Sequence, residues 1–404
     1  MRLPESQDHL AGRRRFGLIA ASTRPINSIR FRRLIALLWV ASASLPDDGR
    51  AQTNETGSFV WRDARELTVE GKGWQDTKEF YDRLPARAEA VVRPAVWGLS
   101  RNSAGLGVRF VSDATTIAAR WTLRNASLAM PHMPATGVSG LDLYVKDDSG
   151  WHWLANGRPL QQKEEKTLVK GLAPGRREYL LYLPLYNGVE EVKIGVPSGA
   201  ALVPATARIK KQKPIVFYGT SILQGGCAAR PGMAYPAILG RKLDWPTINL
   251  GFSGNAHSEP EVARLLAELD PAVYVLDPLP NMSAEMVAER METFVLTLRR
   301  AHPRTPILLV EHPVYPAQQF FPGRQERIKT ANDRLHQVFR NLQRQGVKRL
   351  FLFHSGAMLG RDDEATVDGT HPTDVGFERM AAAMLPTLKR LLRGTRARLG
   401  RGGE

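Results

Sequence analysis

The chain has 404 residues, 43% of them hydrophobic, which is too long for one ordinary domain, suits two, and supplies apolar material for real cores. Its formal charge of +16 sits largely at the ends: residues 1–51 hold nine Lys/Arg against four Asp/Glu and residues 389–404 hold six against one, which leaves +6 for the body. Such ends point to targeting and a solvated tail. With no RRM, zinc-finger or basic-helix signature, no nucleic-acid partner is expected, and the single cysteine, Cys227, excludes an intrachain disulfide or a cysteine metal cluster.

Residues 1–51 read as a leader. Arg30-Phe31-Arg32-Arg33 precedes an apolar run over 34–41, and Ala41-Ser42-Ala43 is a small-residue step. A basic start, a short apolar stretch and small residues make a secretory signal, cut there or after Ala51. The run is too short to span a bilayer and stay there, so no stable membrane insertion is expected. The reading is export, to the periplasm or outside the cell.

From 58 to 203 the pattern is strand-like. Residues 108–111, 116–121, 141–145, 151–154, 177–183 and 191–196 are short β-rich runs, with turn residues such as Asp147-Asp148-Ser149-Gly150 between them. Many short strands at regular spacing predict an all-β sandwich. Residues 197–204 read as a linker.

From 211 to 393 strands and helices alternate. Residues 215–218, 247–250, 272–276, 307–310 and 350–353 are candidate buried strands. Helical patterns cover 259–269, 283–301, 325–345 and 373–392, the first opened by Ser258 and Glu261 as a capping box. Five apolar strands between helices predict an α/β domain with a parallel sheet covered on both faces. Residues 394–404 read as a basic disordered tail.

In such sheets, sites form at the carboxyl ends of the strands. Ser221, Gly254 and Asn281 each lie just past a strand end, and Asp368 and His371 follow the fifth strand. A serine hydroxyl is a poor nucleophile without a base. His371 can take its proton and return it to a leaving group, and Asp368, three residues earlier, can orient the imidazole. The Ser221 and Gly254 backbone N–H groups and the Asn281 amide can hold an oxyanion. A turn serine, a loop ion pair, a turn glycine and a helix cap are the bland readings of these residues taken singly.

Here the chain resembles the SGNH (GDSL-type) hydrolases. The resemblance rests on Gly219-Thr220-Ser221-Ile222, Asn249-Leu250-Gly251-Phe252-Ser253-Gly254, Leu279-Pro280-Asn281-Met282 and Asp368-Gly369-Thr370-His371-Pro372. These stand in the family's order of blocks. It implies a three-layer α/β/α sandwich with a five-stranded, flavodoxin-like parallel sheet. It also implies Ser221, His371 and Asp368 as catalytic residues, and Ser221, Gly254 and Asn281 as the oxyanion hole. Gly140-Leu141-Asp142-Leu143-Tyr144 and the loop from Gly225 to Tyr235 resemble a subgroup with an N-terminal GxDLY domain. Two features depart from the pattern: Thr220 stands where many members have Asp, and the asparagine block lacks Gly-x-Asn-Asp.

Other residues invite weaker readings. His257, Glu259 and Glu261 fit no usual ligand spacing, so no metal is expected. Cys227 reads as a small packing residue. Arg230 reads equally as a substrate contact or an ordinary ion pair. Phe320 and Phe321 are candidates to line a substrate pocket, with core packing the better expectation. Trp151 and Trp153 share a strand face; stacking on sugars is weighed against the core, and the core is favoured.

The reading that results is an exported serine esterase acting on carboxylic, chiefly acetyl, esters of a small molecule or carbohydrate, with no cofactor. Acyl transfer to an alcohol or sugar by the same residues is the first alternative. A non-catalytic carbohydrate-binding protein is the second.

Overall fold

The structure, a computed structural model, describes residues 58–208, 212–356 and 358–399. The leader expected over 1–51 lies outside them.

Among the described residues ten strands build the front half. They are β1 (Phe59–Asp63), β2 (Thr68–Glu70), β3 (Gly107–Ser112), β4 (Thr116–Leu123), β5 (Leu141–Asp147), β6 (Gly150–Gly157), β7 (Lys163–Lys170), β8 (Arg177–Tyr182), β9 (Val189–Pro197) and β10 (Leu202–Pro204). One antiparallel sheet runs β1-β9-β4-β7; the other runs β10-β3-β8-β5-β6, with β2 also on β3. Alternation drives the packing. Ile117, Ala119 and Trp121 of β4 face inward with Val192 and Ile194 of β9, against Phe110, Leu143 and Leu181 of the second sheet. The sandwich expected from the β-rich runs is present. β7 escaped that reading because Lys-Glu-Glu-Lys-Thr-Leu-Val-Lys carries little apolar signal. It is an edge strand, where charge discourages pairing with other chains. β10, inside the expected linker, pairs with β3 instead.

Short helices α1 (Pro94–Ser100) and α2 (Ala135–Val138) lie within the front half. The back half carries α3 (Ser221–Gln224), α4 (Tyr235–Leu243), α5 (Pro260–Ala267), α6 (Ala284–Ala301), α7 (Pro322–Arg344) and α8 (Asp374–Leu399). Its strands are β11 (Ile215–Gly219), β12 (Thr247–Gly251), β13 (Val273–Asp277), β14 (Ile307–Val310) and β15 (Leu350–Phe353). They form one parallel sheet in the order β12-β11-β13-β14-β15. Successive residues of one strand point to opposite layers. Ile215 and Phe217 pack with Ile238 of α4 and Phe377 of α8. Val216 and Tyr218 pack with Val262 of α5, Phe294 of α6 and Leu335 of α7. The central strand β11 has β12 on one side and β13 on the other, so the strand order reverses beside it. Ligand sites of open α/β sheets form at that point.

Three expectations need correction. Ser258 does not cap α5: the residue before that helix is Glu259, which makes no side-chain cap. Ser258 has φ +54°, and its hydroxyl turns to the sulfurs of Met282 and Met291, each at 3.3 Å. The last helix runs to Leu399, past the boundary expected at 393. Finally, Trp74, Leu84, Ala88, Val96 and Trp97 come from the front half of the sequence. Yet they pack with Val216, Tyr218, Ile248 and Leu250 of the α/β sheet. That segment thus shares in covering the sheet beside β12.

Candidate active site

The end of β11 runs directly into α3, and Ser221 is its first residue. Thr220, the departure from the family block, caps α3: its Oγ1 accepts the Ile222 N–H at 3.3 Å. Ser221 is 7% exposed and its Oγ lies 2.9 Å from His371 Nε2. On the far side of the ring, His371 Nδ1 lies 2.7 Å from Asp368 Oδ2. The other oxygen, Asp368 Oδ1, accepts the backbone N–H groups of Thr370 (3.0 Å) and His371 (2.8 Å). This tight turn is what a three-residue spacing makes possible. Burial works to raise the Asp368 pKa. The His371 N–H and imidazole and the Thr370 N–H outweigh it and hold the carboxyl below its ordinary value. An ionised Asp368 therefore faces the imidazole.

The three residues expected to hold an oxyanion follow the three adjacent strands β11, β12 and β13. The Ser221 amide is at the start of a helix, where amides lack an intrahelical acceptor. Gly254 follows β12 with φ +67°, a conformation that strains any residue with a Cβ. Asn281 ends a turn of 3-10 helix after β13, and its Oδ1 accepts the Ala256 N–H at 3.3 Å. That bond leaves Nδ2 as the donating end. The cap of α6 is Ser283, not Asn281.

The remaining candidates fall elsewhere. Arg230 pairs with Asp142 at 2.8 Å and bonds the Tyr144 hydroxyl. Of its two readings, the ion pair is the one the side chain makes. Phe320 and Phe321 are 74% and 55% exposed, which overturns core packing. They stand on the loop before α7, whose Arg324 bonds Gly369 O and Thr370 Oγ1 of the Asp368–His371 turn. Trp153 is half exposed, which takes it out of the core, whereas Trp151 is partly buried and packs against Tyr144, Leu180, Tyr182 and Ala237 as expected. Their indole N–H groups reach Asp142 Oδ1 (2.8 Å) and Asp244 Oδ1 (3.2 Å). Glu259 pairs with Arg93 at 2.5 Å, so a cation already occupies the side chain weighed as a ligand. The Cys227 thiol is pushed up to about 12 by burial and then by the Asp368 charge, which keeps it protonated and unreactive.

Residues 212–389 match the model of the GDSL-like lipase/acylhydrolase family, and residues 59–202 match the GxDLY N-terminus of SGNH-hydrolase-type esterases. A crystal structure described as a GDSL-like lipase from Bacteroides ovatus ATCC 8483 is 37% identical, with a TM-score of 0.79 over 83% of this chain and 98% of that one. The chain belongs to the GDSL-like lipase/acylhydrolase family. As a member of the SGNH/GDSL hydrolases it is an ester hydrolase. Two more distant structures share the fold. The salicylyl-acyltransferase SsfX3 of a tetracycline biosynthetic pathway is 21% identical (TM-score 0.68, 82% of this chain, 97% of that one). A family two carbohydrate esterase from Clostridium thermocellum, in complex with cellohexaose, is 17% identical (TM-score 0.52, 72% and 93%). No curated protein matches.

Within this GDSL-like chain several supporting residues carry no motif that points to a site. Gln224, fully buried on α3, bonds Asn102 Oδ1 (3.2 Å) and Leu185 O (3.0 Å), and accepts the Ser253 N–H at 3.1 Å. It thus ties the serine's helix to the Gly254 loop and to the sandwich. Arg83 is buried without a carboxylate. It bonds Asn249 O (3.0 Å), Gly251 O (2.9 Å), Asn102 O (2.9 Å) and Leu99 O (2.7 Å), and burial pulls its pKa down to about 9. Tyr186 of the sandwich half reaches Ser221 O at 3.3 Å. His132, on an exposed loop of the same half, lies with its ring centroid 5.7 Å from that of His371. Gly226 has its own constraint: a Cβ there would meet Tyr186 Oη at 2.9 Å and His371 Cδ2 at 3.0 Å.

Proposed function

We propose that the chain is an exported serine esterase that removes acyl groups, chiefly acetyl, from a carbohydrate ester. The observation that carries the chemistry is the continuous chain of contacts from Ser221 Oγ through His371 to Asp368. Ser221 Oγ attacks the ester carbonyl as His371 Nε2 takes its proton. Asp368 holds Nδ1–H and stabilises the imidazolium. The Ser221 and Gly254 N–H groups and Asn281 Nδ2 receive the oxyanion, each such donor lowering the barrier by roughly 2.7–4 kcal/mol. The tetrahedral adduct collapses, the C–O bond breaks, and His371 gives its proton to the departing alcohol. Water then attacks the acyl-enzyme with His371 as base, and the acid and free Ser221 leave.

Solvent access favours hydrolysis over transfer. The His371 and Asp368 side chains are 21% and 37% exposed, so water can reach the acyl-enzyme. The carbohydrate assignment draws on Trp153, a half-exposed indole on the wall of a groove of about 570 Å³ between β6, α4 and α8. Indoles offer a broad apolar face to sugar rings. The cellohexaose held by the similarly folded carbohydrate esterase agrees with this choice. Export rests on the leader at 30–51; among the described residues no helix is long and apolar enough to cross a membrane.

The test is turnover of p-nitrophenyl acetate by the mature protein and by Ser221→Ala, with fluorophosphonate labelling of both. Turnover and labelling are expected only with Ser221 present. Equal rates in the two proteins defeat the assignment. Products formed with and without added sugar or alcohol acceptors separate hydrolysis from transfer.

A further inference from the structure

Away from the serine, three side chains from three elements converge at the far half of the sheet. Glu311 follows β14 and His354 follows β15. These strands are paired, with Val310 opposite Phe353, so the two side chains emerge next to each other at the carboxyl edge. His336 reaches the same spot from α7. Its Nε2 lies 2.5 Å from Glu311 Oε1, and His354 Nδ1 lies 2.7 Å from that same oxygen. All three donor atoms fall within 4.8 Å of one another. We propose that Glu311, His336 and His354 form a binding site for one divalent metal ion of the zinc type, outside the esterase site.

The donor set suits such an ion. Two imidazole nitrogens and one carboxylate oxygen are the ligands that zinc accepts, at roughly 2.0–2.2 Å. Three protein ligands leave a fourth position, and the 73% exposure of the His354 side chain leaves that side open to water. The carboxylate is already oriented, because Glu311 Oε2 accepts the Ser355 N–H at 3.0 Å. Outer bonds of this kind aim a ligand oxygen and sharpen affinity. Around a tetrahedral ion at those bond lengths the donors stand roughly 3.3–3.5 Å apart. The two contacts with Glu311 must therefore open by less than about 1 Å. The exposed His354 ring can make that shift. The competing reading is a purely hydrogen-bonded His–Glu–His set, in which each ring donates one N–H to Oε1. It accounts for the distances but predicts no bound ion. No ligand motif marks the site in the sequence, because the histidines lie 25 and 43 residues from Glu311.

The site has a structural consequence. The segment that begins at His354 goes on to carry Asp368 and His371. An ion would pin the root of that segment to α7 and stabilise the fold without touching the reacting atoms. A ligand that binds only the folded state raises the melting temperature.

The experiment uses the full mature chain, stripped with a chelator and then titrated with ZnCl2 by calorimetry and with CoCl2 by visible absorption. One ion per chain, the intense visible bands of four-coordinate cobalt, and a higher melting temperature with zinc are expected. His354→Ala is the decisive variant, since its exposed ring can be removed without endangering the fold. It should weaken zinc at least ~10-fold and leave p-nitrophenyl acetate turnover unchanged. His336→Ala, checked for folding by its metal-free melting temperature, should do the same. Absence of saturable binding overturns the site. So does a stoichiometry kept in His354→Ala together with inhibition of the esterase, which would put the ion on His371 and its neighbours. The binding readout is independent of the esterase reading, so either can fail alone.

Discussion

The buried Asp142 carboxylate, on β5 of the sandwich, accepts the backbone N–H of Gly232 at 2.8 Å, in the loop that follows the serine's helix. The same oxygen, Oδ2, pairs with Arg230 at 2.8 Å, and Oδ1 accepts the Trp153 indole N–H at 2.8 Å. The Asp of the GxDLY motif is therefore a latch between the halves and not a reacting group. Met233, next along the loop, belongs with Tyr235 and Leu223 to the core beneath the site, so a shifted loop is felt there.

Asp142→Ala leaves a buried N–H and a guanidinium without their acceptor. Breaking a buried ion pair from one side costs about 3–5 kcal/mol. We expect that loss in urea unfolding, with kcat/KM falling at least ~10-fold because the loop relaxes. A stability change within ~0.5 kcal/mol of wild type would refute the latch.

Gly226→Ala tests the packing around the histidine. The new Cβ would sit 2.9 Å from Tyr186 Oη and 3.0 Å from His371 Cδ2, so the tyrosine must shift and the imidazole must give by a few tenths of an ångström. Misplacing a reacting group by about 1 Å costs on the order of 100-fold in rate, so this smaller displacement should cost several-fold. The expected signature is a loss in kcat with a near-native melting temperature, read from p-nitrophenyl acetate kinetics and thermal melts. An unchanged kcat would mean that His371 does not work from this position.

Much of this arrangement was legible in the sequence, for a physical reason. The five apolar runs of the parallel sheet are buried on both faces, and the motif residues follow their ends directly. The sequence pattern puts Ser221, Gly254 and Asn281 just past strand ends and Asp368 and His371 after the fifth strand, and it is the resemblance to the SGNH hydrolases that implies their roles. The supports could not be placed in this way. Arg83, Gln224 and Asp142 act through backbone groups far away in the chain, and such partners leave no local spacing. The segment with Trp74 and Trp97 misled for a related reason. Its apolar residues lack a period of two or 3.6 because it is mostly irregular, and its burial against the α/β sheet is a tertiary fact. Alternation points Trp153 to the core, but its position on the edge strand β6 leaves the ring facing a groove.

Asp277 gives a pH-dependent prediction. It ends β13 opposite Gly219 of β11, is 2% exposed, and accepts the Tyr235 hydroxyl at 2.9 Å. Burial raises its pKa from 3.8 to about 7. The folded chain thus holds a proton that the unfolded chain releases between those values. The stability tied to that proton is complete below about pH 4 and is lost as pH rises through about 7. Asp277→Asn copies the protonated form. Its stability advantage over wild type should widen from about pH 4 to about pH 7 and then level off, as measured by chemical denaturation. A gap that is constant across that range would show that Asp277 is ionised in the fold.

The groove beside β6 offers the last prediction. Trp153 is 50% exposed, and the guanidinium of Arg230 lies 5.1 Å from its ring centroid. If a glycan carrying the ester lies along this wall, the indole holds its chain and not its acyl group. Removing one such aromatic contact costs about 1 kcal/mol, or ~5-fold in affinity. Trp153→Ala should therefore raise KM for an acetylated oligosaccharide by about that factor, with kcat kept. The KM for p-nitrophenyl acetate, which is too small to reach the groove, should stay the same. Because the indole N–H also bonds Asp142, Trp153→Phe is the necessary partner: it keeps an aromatic face and loses the hydrogen bond. A rise in KM with Ala but not Phe assigns the effect to stacking. An equal rise for the small ester, or none for the oligosaccharide, takes the groove out of substrate binding and leaves Trp153 as part of the Asp142 latch.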